Sequence, residues 1–346
     1  IDEPEVAIHP SVQYKLLKIF MELALSKNMQ FIFTTHSYFI LKYLNPDSIL
    51  LLKNNNDNKI ISQNVNSSVA FQNISEQNIP YITFAPFSNS DVVKQAFSTR
   101  LGGVSTGMFE SMNLTFNPVG QYEADSYNNV YKNFERMASV LYIPVERMVY
   151  TKQTHTTNIK IVDDSHAGMG ITRERDYDNI DGLVTNTRNL CLVSSYADCI
   201  PVTLVDEKQH VIAAMHAGWK GTVGNIAANG FNAMKNAFGC VNENIKAFIG
   251  PGICMDCYEV SSDVADMFKA AYTKQEVNLL LKNGKTEGKY QLNLLSANYI
   301  NLINCGIKAS DIYVSDVCTC CNSNILFSHR ASKGKRGIMC NFIYLR

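Results

Sequence analysis

Hydrophobic and polar positions change rhythm several times along the chain, and each rhythm predicts an element. Within residues 11–27, Leu16, Ile19, Phe20 and Leu23 fall at i, i+3, i+4 and i+7, one apolar face of a helix. Residues 30–37, Gln30 to Ser37, read as a buried strand. The rhythm then stops: residues 53–68 are rich in Asn and Ser and bury too little apolar surface to order themselves, so they predict turn and linker. From about residue 84, short strand-type runs alternate with turn clusters. Residues 202–205 and 211–214 are strand-like around a polar turn at 206–209, and residues 226–238 read as a helix stopped by Gly239, where a left-handed cap belongs. The fold class expected is α+β, with mixed sheets flanked by helices and a small α/β segment at the start. The expected boundaries are 1–60, a linker at 61–80, and 81–346.

Charge narrows the function. The 346 residues hold 31 Lys+Arg against 31 Asp+Glu, which argues against a nucleic-acid binder, whose surface needs a basic face. No apolar run is long enough for a membrane span, and no export signal is visible, so a cytoplasmic protein without a membrane partner is expected. In that compartment ten cysteines read as reduced thiols or metal ligands rather than as disulfides.

Residues 1–5, Ile1-Asp2-Glu3-Pro4-Glu5, resemble the end of a Walker B strand of ABC- and RecF-type ATPases, and Thr35-His36-Ser37 resembles their switch-histidine loop. The resemblance covers about 55 residues. No G-x-x-x-x-G-K-[ST] phosphate loop occurs in the chain, so residues 1–60 are expected to be a truncated ATPase fragment that does not hydrolyse ATP.

Three ligand-type residues sit at the ends of apolar runs: His155, Cys199 and His216. Two imidazoles and a thiolate suit zinc or copper and leave one position open, as a catalytic metal requires. Their separations are long, so taken singly the histidines read as hydrogen-bonded side chains and Cys199 as a small buried hydrophobe.

Their setting changes that reading. Phe97–Gly107, Ser111–Leu114, Gln153–His155, Asp181–Thr185, Ala197–Pro201, His216–Gly221, Ile249–Pro251, Cys257–Val260 and Cys318-Thr319 occur in one order. The series resembles the YfiH/YlmD family, known as the laccase-domain or purine nucleoside phosphorylase family, from about Phe84 to the C-terminus. The resemblance implies a His-Cys-His zinc site on His155, Cys199 and His216; Cys199 and His216 are the residues expected to be catalytic. It also implies adenosine, inosine and 5′-methylthioadenosine as substrates, with adenosine deamination as a companion activity. The chain departs from the family at Phe327-Ser328-His329-Arg330, where relatives read Phe-Ser-Tyr-Arg-Arg. Cys254 and Cys320-Cys321 look like additions, and Cys254-x-x-Cys257 with Cys318-x-x-Cys321 has the spacing of a four-cysteine zinc site; the plainer reading is reduced thiols.

A water on a His2Cys metal is acidified toward neutrality and can attack an electron-poor ring carbon. The glycines around Lys220 precede a helix expected from about Val223, and free N–H groups there would attract phosphate. Lys220, Arg100 and Glu259 are therefore candidate substrate-binding residues, for phosphate, for phosphate or ribose, and for the sugar. Phosphate beside a nucleoside implies phosphorolysis. The partners expected are small nucleosides and phosphate, and the expected state is a monomer. Zn2+ is the expected cofactor, with Cu2+ the cofactor of an alternative, laccase-like polyphenol oxidase. A multi-copper laccase needs paired H-x-H motifs, and the chain has seven histidines and none of these. A further alternative makes Cys199 the nucleophile of a cysteine hydrolase with His216 as base.

Overall fold

The structure, a computed structural model, describes residues 69–74, 79–88, 90–315 and 317–346. The chain divides into two compact units, residues 1–71 and 72–346, and the second carries every candidate site residue. The expectations for the helix and strand within residues 11–37, and for a non-functional ATPase fragment, lie outside the described residues.

Two mixed sheets form the body of the second unit. In the first, Met339–Leu345 lies between Val93–Ser98 and Cys191–Tyr196, antiparallel to both, and Met148–Tyr150 adds a parallel edge. In the second, Ile200–Asp206 and Val211–Ala217 are the paired centre, flanked by Ile245–Ile249 and Gly182–Thr185. Both central strands are buried at every position, as their apolar runs require when both faces are covered. Tyr196 of the first sheet donates its hydroxyl to Met215 O of the second, and Asn341 Nδ2 donates to Thr203 Oγ1, so the sheets lie face to face.

Helices close the outer faces. Tyr127–Leu141 lays Val130, Phe134, Met137 and Leu141 on the first sheet and ends at Tyr142 in the left-handed region. Ile226–Phe238 lays Ile226, Ala227, Phe231 and Met234 on the second. It begins at Asn225, whose side chain accepts from Ala228 N, and ends at Gly239 with φ 68°. A third, short sheet runs Glu259–Val260, Tyr290–Leu292, Leu281–Asn283. The α+β class read from the sequence is the class observed.

One buried amide holds a long loop to this frame. Asn133, fully buried on the first helix, accepts from Val104 N and donates to Ser105 Oγ, Ser111 O and Asn113 O. Removing it takes the amide partner from Val104 N and Asn113 O, while Ser111 O keeps Ser105 N; a buried polar group left unpaired costs roughly 1–3 kcal/mol. Asn133→Ala should therefore lower the urea midpoint at unchanged slope, by a loss in that range; an unaltered midpoint would show that water replaces the amide.

Candidate metal centre

The topology brings three distant segments to one place. Cys191–Tyr196 of the first sheet turns through Ala197-Asp198-Cys199 directly into Ile200–Asp206 of the second. Ile200 and Pro201 pair with Ala217 and His216, so register alone sets Cys199 beside the end of the neighbouring strand. The loop carrying His155 leads into Ile159–Ile161, which pairs with Gly182–Thr185, itself paired with Val211–Ala217. One ligand atom each from His155, Cys199 and His216 consequently lies within 4.8 Å of the others. The two imidazole rings meet edge to face at 4.9 Å.

Close approach here requires a glycine. A Cβ on Gly218 would stand 2.8 Å from His155 Cδ2 and 3.2 Å from Cys199 Sγ. His155 has φ 64° and Asp198 φ 89°, both left-handed without being glycine, a conformation that the surrounding hydrogen bonds must hold.

Asp181 supplies most of that hold. Fully buried, it accepts from His216 Nδ1 at 2.8 Å, His155 N at 3.1 Å, Thr154 N at 3.0 Å, and Thr156 N and Oγ1, both at 2.9 Å. Burial alone would raise its pKa. His216 and the backbone amides outweigh that and bring it down to about 2. Burial likewise pushes the Cys199 thiol up, but the His216 charge and the hydrogen bonds from both histidines lower it to about 6. His216 is raised to about 9, burial being overcome by Cys199 and Asp181. The pair therefore favours a thiolate beside an imidazolium, and with Asp181 on Nδ1 it is His216 Nε2 that would give up its proton to an ion. Two imidazoles, one thiolate and an orienting carboxylate fit a divalent ion of the zinc type.

Two of the other three candidates, Arg100 and Glu259, are engaged elsewhere. The Arg100 guanidinium donates to Glu110 O and Ser323 O and lies over the Phe327 ring, bracing a turn. Lys220 is exposed and inside a five-residue helix, Trp219–Val223, rather than before a helix starting at Val223; the longer helix starts at Ile226. The expected helix start is corrected accordingly: Gly218 is the N-cap, and its carbonyl accepts the first intrahelical bond, from Thr222 N. The Glu259 carboxylate accepts from Lys285 N, Thr286 N and Thr286 Oγ1, which hold it below its usual range and tie it to a turn.

Two residues to which the sequence pattern assigned no role stand close by. Asp198 accepts from Thr319 Oγ1 at 2.6 Å and Arg330 N at 2.7 Å, tying the Cys199 turn to the C-terminal segment. Arg336, partly buried, donates to His329 Nδ1; burial lowers its pKa, and the charges of Asp198 and Cys199 oppose that. Asp181 opens one of the ordered blocks that carry the family resemblance and stands directly before a buried strand, but neither signal gave it a role.

Comparison with known proteins covers the same residues. A family model described as multi-copper polyphenol oxidoreductase laccase matches residues 94–346, and one described as an AAA ATPase domain matches residues 1–41. Purine nucleoside phosphorylase YlmD of Bacillus subtilis (strain 168) is 32% identical over 262 residues, 75% of this chain and 90% of the relative. Adenosine deaminase RL5, from an unknown prokaryotic organism, is 31% identical over 246 residues, 70% of this chain and 91% of that protein. The crystal structure of the Bacillus licheniformis hypothetical protein YfiH superposes with a TM-score of 0.72 at 31% identity, covering 80% of this chain and 99% of that one.

If Asp181 sets both histidines, Asp181→Asn should weaken zinc binding about 10–100-fold, the usual effect of removing a carboxylate behind a ligating histidine. Competition against a chromophoric chelator measures this; wild-type affinity in the variant would show that Asp181 does not set the donors.

Proposed function

As this chain belongs to the family described as multi-copper polyphenol oxidoreductase laccase, we propose that it is a metal-dependent purine nucleoside phosphorylase. Adenosine, inosine and 5′-methylthioadenosine are its substrates, and adenosine deamination is its companion reaction. The observation that carries the reading is the three-donor centre of His155, Cys199 and His216, in a chain whose relatives bear the names purine nucleoside phosphorylase and adenosine deaminase.

His155, Cys199 and His216 would hold the ion. When bound, Zn2+ supplies a Lewis acid with an open coordination position. The chain's own groups do the rest. Asp181 fixes the direction of the His216 ring and, through the backbone amide of His155, the loop carrying the second imidazole. The sheet-to-sheet turn at Asp198 keeps Cys199 on a rigid element, so the donors need no reorganisation. In phosphorolysis a phosphate oxygen bonds to C1′ as the C1′–N9 bond breaks, and the electron pair leaves with the purine, which takes up a proton. Positioning the two reactants and stabilising the departing base are the protein's tasks. In deamination water adds at C6 and ammonia leaves.

A second reading, copper-dependent oxidation of phenols, is supported by the donor set itself, since two imidazoles and a thiolate also suit copper. Seven histidines without an H-x-H pair cannot build a multi-copper cluster, so this reading is limited to one copper.

With zinc, inosine cleavage should require phosphate and yield ribose 1-phosphate, without phenol oxidation. Stripping the metal should abolish turnover. Free ribose at the same rate in phosphate-free buffer would make the enzyme a hydrolase, and phenol oxidation appearing only with copper would favour the second reading.

A further inference from the structure

Four other cysteines form a second cluster. Cys254 caps and Cys257 ends the single turn Met255–Cys257, which follows Ile245–Ile249; Cys318 and Cys321 lie in the loop after Ile312–Val314. Their sulfur atoms are all within 4.8 Å of one another. Cys257 Sγ to Cys321 Sγ is 3.5 Å and Cys254 Sγ to Cys321 Sγ is 3.9 Å. A tetrahedron with Zn–S bonds of about 2.3 Å has sulfur–sulfur edges of about 3.8 Å. A disulfide would bring two of the atoms to about 2.05 Å and leave the other pair without a purpose. The four sulfurs are therefore spaced as ligands around a common centre.

The backbone supports the same arrangement. Cys254 N and Cys321 N both donate to Cys318 Sγ, at 3.2 and 3.4 Å, the amide hydrogen bonds that a thiolate ligand accepts. Gly252 and Cys318 pair across the two loops, and Thr319 N donates to Gly252 O, so backbone bonds hold the two segments in register. Cys318 is buried and Cys321 exposed, which gives an ion a route in from the surface.

We propose that Cys254, Cys257, Cys318 and Cys321 bind a Zn2+ ion as a closed tetrathiolate, separate from the centre at His155, Cys199 and His216. Zinc binding releases the thiol protons to solvent and involves no change in oxidation state. Four protein sulfurs fill a tetrahedral shell, so the site offers no open position and its role is structural. Its place gives that role content: both clamped loops reach the turn before Cys199. Ile253 N donates to Asp198 O, and Thr319 Oγ1 donates to Asp198 Oδ1. The ion fastens the wall that holds Asp198 in its left-handed conformation.

The test uses the full chain, produced with zinc and iron both supplied and purified under reducing conditions without chelator. Metal analysis should give about two zinc ions per chain. The variant combining His155→Ala, Cys199→Ala and His216→Ala should keep about one, and loaded with Co2+ it should show the intense visible absorption and sulfur-to-cobalt charge transfer of a tetrathiolate. Adding Cys257→Ser and Cys321→Ser to that variant should remove the remaining ion. Should the triple variant not fold, Cys321→Ser in the otherwise unchanged chain should lose one zinc ion relative to the parent. The proposal is overturned by a metal-free triple variant whose four thiols react freely, by zinc retained after the serine substitutions, by iron in place of zinc, or by a Cys257–Cys321 cross-link in the purified protein.

Discussion

The chemistry of the site depends on a carboxylate kept ionised where solvent does not reach. Asp181 is fully buried, and an isolated charge there would neutralise itself by taking up a proton. Amides of residues 154–156, the Thr156 hydroxyl and the His216 imidazole instead surround it with donors. Because these donors belong to the two histidine-bearing segments, satisfying the carboxylate and aligning the donor set are the same event. His216 N also donates to Asp181 O, so backbone and side chain register the strand together.

A second constraint is topological. Cys199 lies in the short passage from one sheet to the other, where the chain has no slack, and His216 ends the adjacent strand. Donors on strand ends backed by a two-sheet core are fixed more tightly than donors on mobile loops. His155 is the exposed, loop-borne member, and it is the one that Asp181 grips by its backbone amide. The two loops that bear the four-cysteine cluster brace the same turn, through Ile253 N and Thr319 Oγ1 on Asp198.

Local signals in the sequence carried the local facts. The helix over Ile226–Phe238 and its Gly239 cap were legible because capping and periodicity are short-range. So were the central strands, although each proved longer than its apolar run because His216 and Asp206 are buried within them. The helix start near Lys220 was misplaced because two helices, 219–223 and 226–238, follow one another with only Gly224 and Asn225 between. Asp181 carried no readable role because its partners lie 25–35 residues away in sequence, and pairing of that kind is decided by strand register. Arg100 and Glu259 were assigned by residue type, and the carbonyls and amides that occupy them are long-range partners.

The central claim is that His155, Cys199 and His216 are the donors of one metal ion whose geometry Asp181 sets. Anomalous scattering from crystals of the full chain, with data on both sides of the zinc absorption edge, tests it most directly. The expected result is a zinc peak bonded to Cys199 Sγ, His216 Nε2 and an imidazole nitrogen of His155, with Asp181 still on His216 Nδ1. Zinc-replete crystals with no peak there, or with the ion bonded to His216 Nδ1 in place of Asp181, would contradict it.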